Sequence, residues 1–413
     1  MKNACAGNDR QEARIWPTPG NFLLLIFYIH FCCSLLSCQK GQLPFNPVAG
    51  EYHYVVPGQT GDGWETASLS AVGMDYTYLE RLMNSLNYIK DHNIHSLLVV
   101  KDGKLVFEEY FEGQKFCLAE YTGELGFDRD DTHTLCSATK SIVSALCGIA
   151  IDKGFVDSVE EKVFDFFPEY SDLLAGADEK RELTIKHLLT MTSGIEWDDE
   201  TFPYSDPRND IYQLFTTNDP MRYILKQPLS ETPGTVFDYD NCNTNVLGEI
   251  VHIASDLTLD EFSDIYLFSR LGVSGFEWQH LSNGVAFASG DLMLRPRDMA
   301  KFGTLFLNGG VWNGERIISQ EWVNVSTQKF IDPNQYSNKY AWADGYGYQW
   351  WQWDSVNGTE FPAYLAAGWG GQWIIVYPAG NLVVVSTAGN YYTAEKVPIK
   401  NIISEYILPS IEP

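Results

Sequence analysis

Ser137 and Lys140 stand three residues apart at the head of Ser141-Ile142-Val143-Ser144-Ala145-Leu146, a run that stays apolar or small as far as Ile151. So uniform a run predicts a helix buried on every side. A lysine in its first turn then needs a reason. On a helix, residues three apart lie one above the other, so the Lys140 amine can reach back to the Ser137 hydroxyl. That is nucleophile-and-base geometry. A serine hydroxyl attacks poorly until a neighbour takes its proton. An ammonium desolvated among apolar groups, near the positive end of a helix dipole, has a lowered pKa and can serve as that neighbour. The backbone N–H at the same helix start can also meet an oxyanion forming beside Ser137. The plainer reading of the same residues is a helix cap with a lysine reaching to solvent.

The spacing alone does not single out this pair. Ser326-Thr327-Gln328-Lys329 repeats it, but leads into the turn-rich Phe330-Ile331-Asp332-Pro333-Asn334, which offers no apolar helix to bury the lysine. A second candidate piece is Tyr239-Asp240-Asn241, placed just before an apolar helix. A phenol held near a lysine can relay the serine proton to a leaving group, and an amide beside it can bond the lysine and substrate. Tyr336-Ser337-Asn338 has the same spacing inside a polar loop, without such a helix. The third piece, Gly368-Trp369-Gly370-Gly371-Gln372, precedes an apolar strand. Its glycines let a substrate lie against the strand edge, with the Trp369 N–H as a second oxyanion donor; a bulge or hairpin corner explains them equally well.

These pieces need elements to hold them. Met74 to His92 has helical periodicity, and Ser96–Val100, the turn Lys101-Asp102-Gly103-Lys104, and Leu105–Phe111 read as a β-hairpin. From Asp152 to about Ser289 the pattern turns to helices with long connections. Leu183 to Gly194 reads as a short helix ending at a glycine, with His187 a packed or surface residue. The acid-rich stretch Glu196, Asp198, Asp199, Glu200, Asp206 and Asp210 reads as a solvated face, with substrate screening the lesser alternative. Helices then open at Asn245 and at Arg295. Strands return at Tyr346–Trp351, Trp373–Tyr377 and Leu382–Ser386, and a helix from Glu395 to about Tyr406 closes the chain. Strands near both ends with helices between predict an α+β fold, in which hairpin and C-terminal meander share one antiparallel sheet flanked by helices, with an all-helical insertion at about 156–285. The cleft between sheet and insertion is the natural site.

The chain has 413 residues, 45% apolar and 20% charged, with a net charge of -26 and no Lys/Arg cluster. That composition excludes nucleic acid as an expected partner. Lys2, Arg10 and Arg14 precede the apolar run Phe22–Leu36, short for a membrane span and suited to a signal-peptide core. Leu35-Leu36-Ser37-Cys38 resembles a bacterial lipoprotein box. The resemblance implies removal of residues 1–37, a lipid on Cys38, and a tether over residues 38–75 holding a cell-envelope protein to a membrane. An ordinary secretory signal or an uncleaved anchor is the alternative. Four cysteines remain outside the leader, Cys117, Cys136, Cys147 and Cys242. Their pairing, if any, is open. No C-x-x-C pair or H-E-x-x-H points to a metal site.

With Ser137-Ala138-Thr139-Lys140, Leu188-Leu189-Thr190-Met191-Thr192-Ser193-Gly194, Tyr239-Asp240-Asn241 and Gly368-Trp369-Gly370 in this order, residues 76–408 resemble the serine β-lactamase-like hydrolases. Within them the likeness is to the class C β-lactamase-related branch that includes esterases and 6-aminohexanoate-dimer hydrolase. Pro233-Gly234-Thr235, Arg297 to Gly303 and Tyr346 to Trp351 are further family-like segments. The resemblance implies a β-lactamase/penicillin-binding-protein-like fold, Ser137 as acylated nucleophile, Lys140 as its base and Tyr239 as proton relay. Asn241 would orient Lys140 and substrate, and the N–H groups of Ser137 and Trp369 would form the oxyanion hole. It calls for no cofactor or metal; water deacylates the enzyme. One departure bears on substrate: penicillin-active members generally carry Lys or His where this chain has Ala366 or Ala367. Without that cation a lactam carboxylate loses a charge-assisted hydrogen bond, about 1.5 to 3 kcal/mol. Tyr348, Trp350 and Trp369 would favour an apolar acyl or alcohol group, unless they are simply core. The expectation is an exported serine hydrolase acting on a small-molecule ester or small amide through an acyl-serine. A β-lactamase or D-amino-acid peptidase is the first alternative, and a non-catalytic envelope binding protein the second; oligomeric state stays open.

Overall fold

The computed structural model describes residues 51 to 411, with the exception of 90, 118 and 119. Its centre is a seven-stranded sheet. The hairpin of β1 (Ile94–Lys101) and β2 (Lys104–Tyr110) turns through Asp102 and Gly103, both at positive φ, 52° and 75°, as a two-residue hairpin turn requires. Five strands come from the C-terminal part of the chain: β3 (Gly345–Tyr346), β4 (Trp351–Val356), β5 (Thr359–Gly368), β6 (Gln372–Tyr377) and β7 (Leu382–Ala388). The order is β2-β1-β7-β6-β5-β4-β3, antiparallel throughout, and β1 joins β7 with Val99 opposite Val384. Hairpin and meander thus form one sheet, as expected.

Both faces of this sheet are covered, which is why its strands read as unbroken apolar runs. Leu98, Val100, Ile374, Val376, Val383 and Val385 point to one layer, and Leu97, Val99, Ile375, Leu382 and Val384 to the other, the period-two alternation of a pleated strand. Helix α1 (Tyr76–Tyr88) covers the second layer together with a C-terminal helix that runs Ile399–Ile402, Ile403–Ile407 and Leu408–Ser410; Ser85 Oγ meets Tyr406 OH at 3.2 Å. On the first layer lie α2 (Thr139–Asp152), α3 (Cys242–Ser255) and α4 (Pro296–Leu307). The inserted helical region is not a separate body: its Phe164, Leu188, Leu214, Ile224 and Phe262 share one apolar cluster with α2 and the sheet.

Several expectations shift in detail. Residues 51 to 75, read as part of the tether, are packed on the domain. Tyr54 donates its hydroxyl to Val106 O at 2.7 Å, Trp64 donates Nε1–H to Arg297 O at 3.2 Å, and buried Arg297 grips Asp62 and Glu108. Tyr346–Trp351 is not one strand, because Gln349 takes a left-handed φ of 63° between β3 and β4. Buried there, Gln349 accepts from Ser141 and Thr244 and donates to Leu188 O, tying α2, α3 and the helix Ile185–Leu189 together. That helix stops at Leu189, short of Gly194, and His187 serves in its capping box with Thr184. The closing helix begins at Ile399, after Pro398, rather than at Glu395. Cys136, Cys147 and Cys242 are free thiols. Cys38 and the leader lie outside the described residues.

Candidate active site

Before α2 the chain makes a sharp elbow. Cys136 adopts φ 46°, and a short helical turn over Cys136–Ala138 delivers Ser137 to the mouth of the first-layer core. Lys140, one turn on, is 1% exposed. Its Nζ lies 3.1 Å from Ser137 Oγ, 2.7 Å from Asn241 Oδ1 and 2.8 Å from Ser289 O. Three contacts suit an amine that alternates between charge states: two N–H bonds to fixed acceptors, and a third direction aimed at the serine that either donates or receives the proton. Burial lowers the Lys140 pKa from its ordinary value to about 8, against the opposing pull of Asp199, Asp240, Cys136 and Asp291.

Tyr239 and Asn241 flank a residue that fixes both. Asp240 is buried and accepts from Asn243 N at 2.9 Å and Asn243 Nδ2 at 2.7 Å, so it caps the start of α3 and pins the turn carrying its neighbours. The Tyr239 N–H is held by Tyr340 OH at 3.1 Å, and its ring packs on Trp351 and Tyr346 with centroids 5.1 and 6.0 Å away. Ser137 and the Trp351 side chain lie beside the phenol. Lys140 Nζ is 5.0 Å from the ring centre. Burial raises the phenol pKa, and Ser137 and Trp351 pull it back. Tyr239 is therefore a protonated phenol at neutral pH, able to give a proton and regain it from its neighbours.

The end of β5 closes the other side. A Cβ on Gly368 would lie 2.1 Å from Leu135 O and 3.2 Å from Ala138 N. Only a residue without a side chain lets the strand end lie this close to the elbow, and this contact brings Trp369, the next residue, to Ser137. Trp369 itself is 38% exposed, with the rings of Tyr204, Tyr391 and Tyr392 set edge-on around it at 6.2, 5.2 and 4.8 Å. Gly370 packs against the Tyr391 ring. Ala366 is wholly buried in the α2-side core and Ala367 packs toward the opposite layer, so neither offers a charge to the cleft. Tyr348 and Trp350 are core residues, 3% and 0% exposed, and do not face substrate.

Ser137, Lys140, Tyr239, Asn241 and the Gly368–Gly370 edge, spread over more than half the chain, thus meet at one place. The two decoys do not: the Lys329 side chain is 43% exposed beside Asp354, and Tyr336 lies on the surface bonded to Thr235 O. Three contributors have no sequence signal of the kind used above. Ser289 supplies only a carbonyl, Trp351 an indole ring packed on Tyr239, and Asp199 a carboxylate drawn from the acid-rich loop. That loop is split in the fold. Asp206 pairs with Arg208 at the surface, whereas Asp199 turns inward to accept from Trp197 Nε1 at 2.9 Å and Asn241 Nδ2 at 2.6 Å. The tryptophan two residues earlier is the one hint that this part of the loop is covered.

This arrangement can move a proton from a serine to an amine and on to a phenol, which is the requirement for acyl transfer. The 6-aminohexanoate-dimer hydrolase of Paenarthrobacter ureafaciens is 30% identical over 285 residues, 65% of this chain and 68% of that protein. A family VIII carboxylesterase superposes with a TM-score of 0.62 at 16% identity, covering 81% of this chain and 96% of that one. A D-stereospecific amidohydrolase from Streptomyces sp. gives 0.57 at 15%, covering 80% and 98%. These two share the fold. A family model described as Beta-lactamase matches residues 90–401, nearly the whole span from the central hairpin to the closing helix, and the chain is accordingly a member of the beta-lactamase family, a serine hydrolase.

Proposed function

We propose that this protein cleaves an ester or small amide through an acyl-serine intermediate. One observation carries the reading: a desolvated amine, Lys140 Nζ, 3.1 Å from the Ser137 hydroxyl. With Lys140 neutral, the Ser137 proton passes to Nζ as Oγ attacks the substrate carbonyl carbon. The resulting oxyanion is met by the N–H groups of Ser137 and Trp369. Collapse breaks the bond to the leaving alkoxide or amine, which takes a proton through Tyr239. Water then repeats the sequence in reverse to free the acid.

Three features support ester or amide over lactam. Where penicillin-active members carry Lys or His this chain has Ala366 or Ala367, and neither puts a cation in the cleft. The mouth is aromatic, at Tyr204, Trp369 and Tyr392. The relatives above are named a dimer hydrolase, a carboxylesterase and an amidohydrolase. A fluorophosphonate probe is expected to label Ser137, and a short-chain p-nitrophenyl ester to be hydrolysed with a burst; both are lost in Ser137→Ala. Labelling and hydrolysis that survive this change reject the reading. Stable labelling by a fluorescent penicillin, with no ester turnover, favours the β-lactamase or D-amino-acid peptidase alternative. Tight retention of an ester or amide without turnover favours a binding protein.

Export and lipid attachment rest on the run Phe22–Leu36 and the box ending at Cys38. The full chain is expected in the membrane fraction, and Cys38→Ala in the soluble fraction; equal distribution of the two rejects lipidation at Cys38.

A further inference from the structure

The carboxylate of Asp199 bonds neither Ser137 nor Lys140, yet it sets how the Asn241 amide that holds Lys140 is aimed. An amide side chain has two orientations of similar shape, one presenting oxygen and the other N–H₂. Burial raises the Asp199 pKa, while the charge of Lys140 and the N–H bonds from Trp197 and Asn241 pull it back toward the carboxylate, which has only acceptors. Asp199 Oδ2 receives Asn241 Nδ2–H at 2.6 Å, which leaves Asn241 Oδ1 facing Lys140 Nζ at 2.7 Å. The flipped amide would set oxygen against carboxylate at one end and N–H against the amine at the other. Both ends oppose it. Trp197 Nε1 donates to the same oxygen at 2.9 Å and holds the carboxylate in place.

We propose that Asp199 is a positioning residue for the Ser137–Lys140 pair, acting through the Asn241 amide. This rests on Lys140 being the base of the reaction. Of the two acceptors that hold Lys140 besides Ser137, Ser289 O belongs to the backbone and cannot turn. Asn241 Oδ1 is the one whose direction a side chain sets. Without it the amine has no reason to keep its third direction on Ser137.

Asp199 also acts by its charge. The titratable groups facing Lys140 come from every element around it: Cys136 from the elbow, Asp199 from the loop before the helix Asp210–Thr216, Tyr239 and Asp240 from the turn before α3, and Asp291 from the loop before α4. Asp240 is engaged with Asn243, and Asp291 accepts from Thr134 Oγ1 at 2.7 Å. Asp199 exerts the largest of the pulls that favour the ammonium. Removing its charge therefore makes the amine easier to deprotonate.

Two substitutions in the full-length protein separate these roles. Asp199→Asn keeps an oxygen for both Asn241 and Trp197 but no charge; Asp199→Leu removes both. With the p-nitrophenyl ester, Asp199→Leu is expected to lose on the order of 10²-fold in kcat, as for a mispositioned reacting pair, with little change in KM. Asp199→Asn is expected to recover most of that loss, and the acid limb of its kcat/KM profile moves to lower pH. In an Asn241→Ala background, Asp199→Leu should cost less than about 3-fold, since the amide it aims is gone. Equal impairment of both variants with an unmoved acid limb, or a full loss that persists without Asn241, makes Asp199 merely structural and overturns the proposal. Unimpaired activity in Asp199→Leu overturns it too. None of these outcomes mimics a failure of the nucleophile assignment, which shows as activity surviving in Ser137→Ala.

Discussion

Lys140→Met is expected to lower kcat/KM for ester hydrolysis by roughly 10⁴-fold or more, the scale seen when a nucleophile loses its base, while the protein stays folded. Methionine fills much of the same volume with no proton to accept. The surroundings favour it in one respect, because the ammonium of Lys140 is held among apolar groups at a desolvation cost. They disfavour it in another, because Asn241 Oδ1 and Ser289 O lose their donor. These effects oppose each other, so a melting curve close to wild type should accompany the loss of rate. Retention of more than a tenth of wild-type kcat/KM would falsify the role of Lys140 as base. The pH profile gives the companion test. The base works as the neutral amine, and Lys140 releases its proton near pH 8. The rate should therefore climb as pH rises through about 8 and fall away below it, and that limb should vanish in Lys140→Met.

Tyr239→Phe should lose about 10² to 10⁴-fold, and the size should depend on the leaving group. An amine or alkyl alkoxide cannot depart without a proton, so amides and alkyl esters should feel the full loss. p-Nitrophenolate departs as the anion, so kcat/KM for its ester, which reports acylation, should fall about 10-fold or less. The ring contacts with Trp351 and Tyr346 survive the change, and removal of one hydroxyl costs little in packing. An equal loss on the p-nitrophenyl ester and on an amide would contradict a proton relay and leave Tyr239 as a wall of the site.

Lys140 and Tyr239 differ in how far the chain itself betrays them. Lys140 could be read from a stretch of a dozen residues, because the short turn carrying Ser137 runs directly into α2, which carries Lys140 and the apolar run, and their spacing is local geometry. The hairpin was equally local: Asp102-Gly103 between two apolar strands admits few other conformations, and the structure places the turn there. Tyr239 was legible only as one of two similar triplets, told apart by the apolar helix that succeeds Asn241 and has no counterpart after Asn338. Gly368 read as a strand-edge glycine or as a hairpin corner. Leu135 O, which would lie 2.1 Å from its Cβ, decides for close approach.

Other features had no local signature. The acid-rich loop looked solvated because six carboxylates in fifteen residues usually are. Asp199 departs from that pattern through contacts with Trp197 and Asn241. The residues before α1 read as a spacer from their Gly, Pro and polar content, yet the buried guanidinium of Arg297, far along the chain, draws Asp62 into an ion pair.

Periodicity and spacing by themselves determined the buried helix, its serine and lysine, the shared antiparallel sheet and the order of the three motifs. Each is a property of neighbouring residues or of apolar faces that have to be covered. Tertiary structure alone decided the aim of the Asn241 amide, the carbonyl of Ser289 that holds Lys140, the indole on Tyr239 and the inward turn of Asp199. A hydrogen bond between residues tens to hundreds of positions apart leaves no period in the chain, and its geometry exists only once the core has brought both partners together.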